Sequence, residues 1–162
     1  MAVVKNVFFD TSVLLAGLMD LGPSSKEAMP VMDAVARGRL PRPRTAWHCC
    51  LELYAVSTRL PEEFRLEPGE ALTLIEEEVL GRFEIHDLPA RSRAGFLRLC
   101  ARERIRGGRL YDAHIAEVAR AAGASVVVTE NQRDFAVLER HGIPVLDTAG
   151  LLAAVRSRRR GR

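Results

Sequence analysis

No apolar run in this 162-residue sequence reaches the length a membrane span requires, and its first residues, MAVVKNVFFD, lack a signal-peptide layout before charge appears. Those absences lead us to expect a cytoplasmic protein with no membrane contact. Cysteine is scarce. Cys49, Cys50 and Cys100 are odd in number, two are adjacent, and no CxxC or Cys/His spacing suits zinc, so reduced packing residues are expected. GxGxxG and P-loop sequences are absent, which sets aside the usual phosphate-cradling loops. His48, His86, His114 and His141 share no spacing that suggests a triad or a zinc site. Internal repeats, low-complexity linkers and a second-domain boundary are missing as well.

What is present fits one compact domain with a real core, because 162 residues are too few for two domains of ordinary size. We place that domain at residues 1–155 and a basic C-terminal tail at 156–162. Hydrophobic residues make up 48% and charged residues 28%, the composition of an ordinary soluble globular protein. The formal charge is only +3, yet the bases are almost all arginine and unevenly spread. Arg91, Arg93, Arg98, Arg102, Arg104, Arg106 and Arg109 share one segment whose only acid is Glu103, and RSRRRGR closes the chain. Such clusters suit phosphate contacts or, more plainly, a solvated helix face and a frayed tail.

Val3 to Phe9 reads as a central parallel strand, followed by a helix over 12–19. After LGPSS, Ser24 or Ser25 can cap a helix that runs to about Arg37 and ends at Gly38. RLPRPR, with two prolines, allows only a short, irregular or edge strand. Helices are expected over about 45–58 and 69–79, the second stopped by Gly81. FEIHDL is a short strand before a helix over about 90–105, and Gly107 and Gly108 separate that from a helix over about 110–122. SVVVT, a helix over about 132–140, the strand IPVL and a last helix complete the chain. This alternation argues for an α/β three-layer sandwich, a parallel sheet with helices on both faces.

Several carboxylates are out of place in that scheme. Glu52 is the only formally charged residue from Thr45 to Thr58, on a helix apolar enough to be largely buried, so a cation should sit beside it. A structural salt bridge or a snorkelling surface glutamate would also account for it. Asp112 shares a helix stripe with Ile115, Ala116 and Ala119, the stripe that should pack on the sheet. A favourable first-turn dipole explains its position along the axis but not its face. Asp10 lies at the carboxyl end of the first strand, where open α/β sheets place ligands, and Asp134 follows the strand that ends at Thr129. Asp10 can instead cap the next helix, and Asn131 with Asp134 can form a capping pair.

Converging carboxylates without histidine or cysteine make a hard-oxygen site of the kind Mg²⁺ or Mn²⁺ prefers. The chemistry implied is metal-assisted hydrolysis of a phosphodiester, with arginines along the polynucleotide backbone. At this point FFDTSVLL, LELYAV, RLYDAHIAEVARAAGASVVVT and TENQRDF, in this order and spacing, resemble the PIN-domain superfamily, and most closely the VapC-type ribonuclease toxins of toxin–antitoxin pairs. The resemblance covers nearly the whole chain. It implies a five-stranded parallel sheet in the order 3-2-1-4-5, an RNA substrate, a VapB-like antitoxin partner and a homodimer. It also implies that Asp10, Glu52, Asp112 and Asp134 are the catalytic and metal-binding acids, with Ser12, Thr129 and Asn131 as polar neighbours. Many relatives carry an aspartate where Asn131 stands, which leaves Asp134, Asn131 or Glu130 to complete the site.

A haloacid-dehalogenase-like enzyme would need a second aspartate where Ser12 stands, and is set aside. The competing reading is a PIN-like module that binds RNA or a partner protein without cutting. Trp47 and Phe96 are expected in the core or an interface.

Overall fold

The computed structural model describes residues 5–160. Five parallel strands form one sheet: β1 Val7–Phe9, β2 Arg44–Ala46, β3 Glu84–His86, β4 Val126–Val128 and β5 Val145–Leu146, in the order β3-β2-β1-β4-β5. Phe8 pairs with Arg44 on one side and Val127 on the other. Every residue of β1 is fully buried, the reason its sequence is a continuous apolar run. The strand is shorter than Val3 to Phe9. Val3 and Val4 lie outside the described residues, and Asn6, at φ 52°, turns the chain through the left-handed region before pairing begins at Val7.

The proline-bearing segment gives a strand that is short but not at an edge, since β2 pairs with both β1 and β3. Its prolines precede the paired residues, and Pro43 still contributes a carbonyl that accepts from the Glu84 amide at 2.9 Å. Thr45 and Ala46 are strand residues too, so the helix expected from Thr45 starts at Trp47. Buried Arg44 donates through Nε to Glu84 at 3.0 Å and through Nη1 to the Ala122 carbonyl at 2.5 Å. A strand residue thereby fastens the end of the helix before β4.

Among the described residues, eight α-helices flank the sheet: α1 Thr11–Leu18, α2 Ala28–Ala36, α3 Trp47–Ser57, α4 Pro68–Leu74, α5 Ala90–Arg102, α6 Arg109–Ala121, α7 Gln132–Phe135 and α8 Thr148–Arg160. α1 packs on α2 and α3, while α6 packs on α5, α7 and β2. A Cβ on Gly17 would lie 2.5 Å from Met32 Cγ and 2.9 Å from the Ala28 carbonyl oxygen, so glycine there lets α1 and α2 meet closely. Neither Ser24 nor Ser25 caps α2. Buried Ser25 instead donates to the Met19 carbonyl at 2.7 Å and accepts from the Leu21 amide at 2.9 Å, bracing the connection. The helix expected over 69–79 is α4, opened by a Glu67–Glu70 capping box and continued by a π-helical turn, Ile75–Leu80. Arg104, at φ 54°, ends the expected 90–105 helix early, and the expected 132–140 helix is α7 followed by a 3-10 segment, Ala136–His141. Part of the expected tail is helical, because α8 extends through Arg160.

The core joins β1 and β4 to Leu14, Leu53, Ile115, Phe135 and Leu151, and the ring of Phe9 meets that of Phe83 edge-on at 5.3 Å. Cys49, Cys50 and Cys100 are unpaired and buried, as expected of packing residues. Burial, with help from the Asp10 charge, pushes the Cys49 thiol up to about 12, which keeps it from reacting as a thiolate. No helix among the described residues is long and apolar enough to cross a membrane.

Candidate metal centre at the carboxyl edge of the sheet

Asp10 follows β1 directly and heads α1, but its side chain makes no helix cap. Its Oδ2 accepts from Ser12 Oγ and from Thr129 Oγ1, each at 2.8 Å. Thr129, the residue after β4, also accepts from the Asn131 amide at 3.0 Å, and Ser12 Oγ accepts from the Glu130 amide at 3.1 Å. Adjacent parallel strands β1 and β4 therefore deliver the carboxylate and its two hydroxyls to one point. The group is 3% exposed, and burial raises its pKa although the hydroxyls oppose the rise.

Glu52, one turn inside α3, accepts from Thr11 Oγ1 at 2.5 Å, and its other oxygen lies 3.6 Å from His48 Nε2. No arginine pairs with it among the described residues, so the expected cationic neighbour is a histidine, charged only when protonated. Nor is α3 buried all round. Trp47, Leu51 and Tyr54 are 45%, 50% and 40% exposed, and Trp47 is therefore not a core residue. Periodicity could not separate an apolar surface from an apolar core.

Asp112 projects from the first turn of α6 into the field of the other acids. Burial first, then the charges of Asp10, Asp134 and Glu52, raise its pKa to about 6, while His48 opposes the shift. Asp134 sits on α7, exposed, with its amide bonded to the Asn131 carbonyl at 3.0 Å. The Asn131 side chain does not cap α7. Glu130 is engaged elsewhere, accepting from Thr148 Oγ1 at 2.7 Å and its amide at 3.3 Å at the start of α8. Of the residues after Thr129, Asp134 is thus the acid that reaches the Asp112 field.

Some neighbours escaped the sequence reading. Thr11 holds Glu52, and the His48 ring stacks on Tyr111 at 5.1 Å and 18° and meets His114 at 5.6 Å. The informative spacings were four residues from His48 to Glu52 and one from Tyr111 to Asp112.

All four acids offer only oxygen, and their mutual repulsion at Asp112 is what a divalent cation would relieve. As they stand, no three acid, histidine or cysteine side chains among the described residues lie close enough together to hold an ion. An ion here would complete its shell with water and phosphate oxygens, the habit of magnesium.

Known proteins resemble this chain in sequence or in fold. The sequence profile of the PIN domain matches residues 6–133. Ribonuclease VapC27 of Mycobacterium tuberculosis is 32% identical over 102 residues, 63% of this chain and 72% of that protein. PAE2754 from Pyrobaculum aerophilum superposes with a TM-score of 0.60 at 18% identity, over 96% of this chain and 92% of its own. VapC20 of M. tuberculosis, a toxin that cleaves the sarcin-ricin loop, gives 0.57 at 16% identity, over 75% and 86%. VapBC2 from Rickettsia felis, bound to a DNA fragment from its promoter, gives 0.58 at 16% identity, over 87% and 97%. With the profile spanning most of the sequence and the sheet order in place, this chain belongs to the PIN-domain family.

Proposed function

We propose that this protein is an endoribonuclease dependent on Mg²⁺ or Mn²⁺, the toxin of a VapBC-type toxin–antitoxin pair, acting in the cytoplasm as a homodimer under the control of a cognate antitoxin. The observation that carries the chemistry is the convergence of the charges of Asp10, Glu52 and Asp134 on Asp112, from the end of β1 and from α3, α7 and α6. The ribonuclease relative and the toxin–antitoxin complexes among the similar folds support the biological role.

Asp10, Glu52, Asp112 and Asp134 would hold the ion. When bound, it would supply an activated water and neutralise the charge that builds on the phosphodiester. The chain's own hydroxyls position the acids. Ser12 and Thr129 fix the Asp10 carboxylate, and Thr11 fixes Glu52, so neither must reorganise as the reaction proceeds.

The test is cleavage of a mixed single-stranded RNA with Mg²⁺ or Mn²⁺, comparing native protein with Asp10→Ala and Asp112→Asn. Cutting by the native protein alone, abolished by EDTA, is expected. Undiminished cutting by either variant would remove the acids from the mechanism.

A further inference from the structure

Beyond Asp112 and Asp134 a groove of about 600 Å³ opens between α5, α6 and the 3-10 segment Ala136–His141. Both acids stand on its wall, so groove and acidic centre are continuous. Its lining is mostly apolar, with Leu99, Ala113, Ala116 and Val137 among the contributors, and Val137 is 46% exposed. Arg109, Arg120, Arg133 and Arg140 also line it. Arg120 is held by Glu117, with contacts of 2.6 and 2.9 Å. Among the described residues, Arg109, Arg133 and Arg140 pair with no carboxylate, although Glu103 shares the groove.

Apolar lining and unpaired guanidinium groups ask for a ligand with flat apolar faces and regular negative charge. Single-stranded RNA has both, whereas a duplex hides its base faces and presents mainly backbone. The arginine-rich segment noticed in the sequence contributes only Arg109 to this groove, and Arg133 and Arg140 come from beyond β4.

We propose that this groove binds the unpaired RNA next to the cleaved phosphodiester, with Arg109, Arg133 and Arg140 on its phosphates and the apolar lining against its bases. The assignment rests on the ribonuclease reading. It makes the groove the substrate's grip and leaves the α5 arginines, Arg91 and Arg98 among them, outside it.

Anisotropy of a fluorescein-labelled mixed-sequence RNA hexanucleotide, read on Asp10→Asn protein between roughly 50 and 200 mM salt, tests this directly. Two lost phosphate contacts should make the log–log salt slope of Arg133→Gln/Arg140→Gln shallower by about 1.4, with affinity roughly tenfold lower at the low-salt end. Val137→Asn should weaken binding without changing the slope, and Arg91→Gln/Arg98→Gln should change neither. Groove variants that bind like their parent, while native protein still cuts RNA, would overturn the groove and leave the nuclease reading standing. Native protein that neither binds nor cuts RNA would overturn both. Groove variants that separate into monomers in sedimentation velocity would give the groove to a second copy of the chain and overturn the proposal.

Discussion

Thr129 shows how much a single hydroxyl can carry. It donates to Asp10 Oδ2 at 2.8 Å and accepts from the Asn131 amide at 3.0 Å, and it is fully buried. Thr129→Val keeps the shape but leaves a buried carboxylate and an amide each short of a partner, so urea unfolding should show a loss of about 1–3 kcal/mol. A change within about 0.5 kcal/mol would mean that the hydroxyl is not holding the site. Asp112 makes a different prediction. Its pKa is raised from 3.8 to about 6 in the folded protein, so the folded state binds the proton more tightly than the unfolded one. The stabilisation this brings to metal-free protein is complete below 3.8 and disappears as pH rises through about 6. Thermal unfolding from pH 4 to 7 should show that fall in native protein and a flatter profile in Asp112→Asn. Equal profiles would separate Asp112 from the acidic field.

At the scale of elements, α1 and α2 approach as closely as they do because position 17 has no side chain. Gly17→Ala would press a methyl group to 2.9 Å from the Ala28 carbonyl oxygen, backbone that cannot swing aside as the Met32 side chain can. Overpacking of this kind costs about 1–3 kcal/mol, to be read from the denaturation midpoint, and an unchanged midpoint would mean the helices part freely. Elements were legible in the sequence wherever an apolar run or glycine marked them: β1, β4 and Gly38 lie where expected. Their ends were less so. Asn6 shortens β1 through its backbone conformation, Arg104 does the same to α5, and the 3-10 turn before α2 takes Ser25 away from capping. Those outcomes depend on dihedral angles and on partners distant in sequence, which residue periodicity does not encode. Of the alternatives for the proline-bearing segment, the short strand held and the edge position did not, since a proline excludes a strand only at the residue whose N–H is needed.

Across the whole molecule, the sheet order followed from the family resemblance and not from any local pattern, because parallel pairing joins residues far apart in the chain. The same limit applied to the centre. Asp10, Glu52 and Asp112 stand out as charges in apolar surroundings, whereas the roles of Thr11 and the His48–Tyr111 stack, and the meeting of Arg109 with Arg133 and Arg140 in one groove, arise only in the folded chain. A centre spread over four elements should tie metal binding to global stability. Mn²⁺ at about 100 times its dissociation constant should add about 2.7 kcal/mol to unfolding, reversed by EDTA. Native protein indifferent to Mn²⁺ would favour a PIN-like module that binds without cutting.

The hydroxyl clasp on Asp10 joins residues 119 positions apart. A ribosome making this protein therefore exposes Asp10 long before Thr129, Asp134 or the neighbouring strand β4 has been synthesised. The growing chain has every early acid and no centre in which to use them. For an enzyme read as attacking RNA, that ordering delays the hazard until β4 and the segment through Asp134 have been made and have folded against β1.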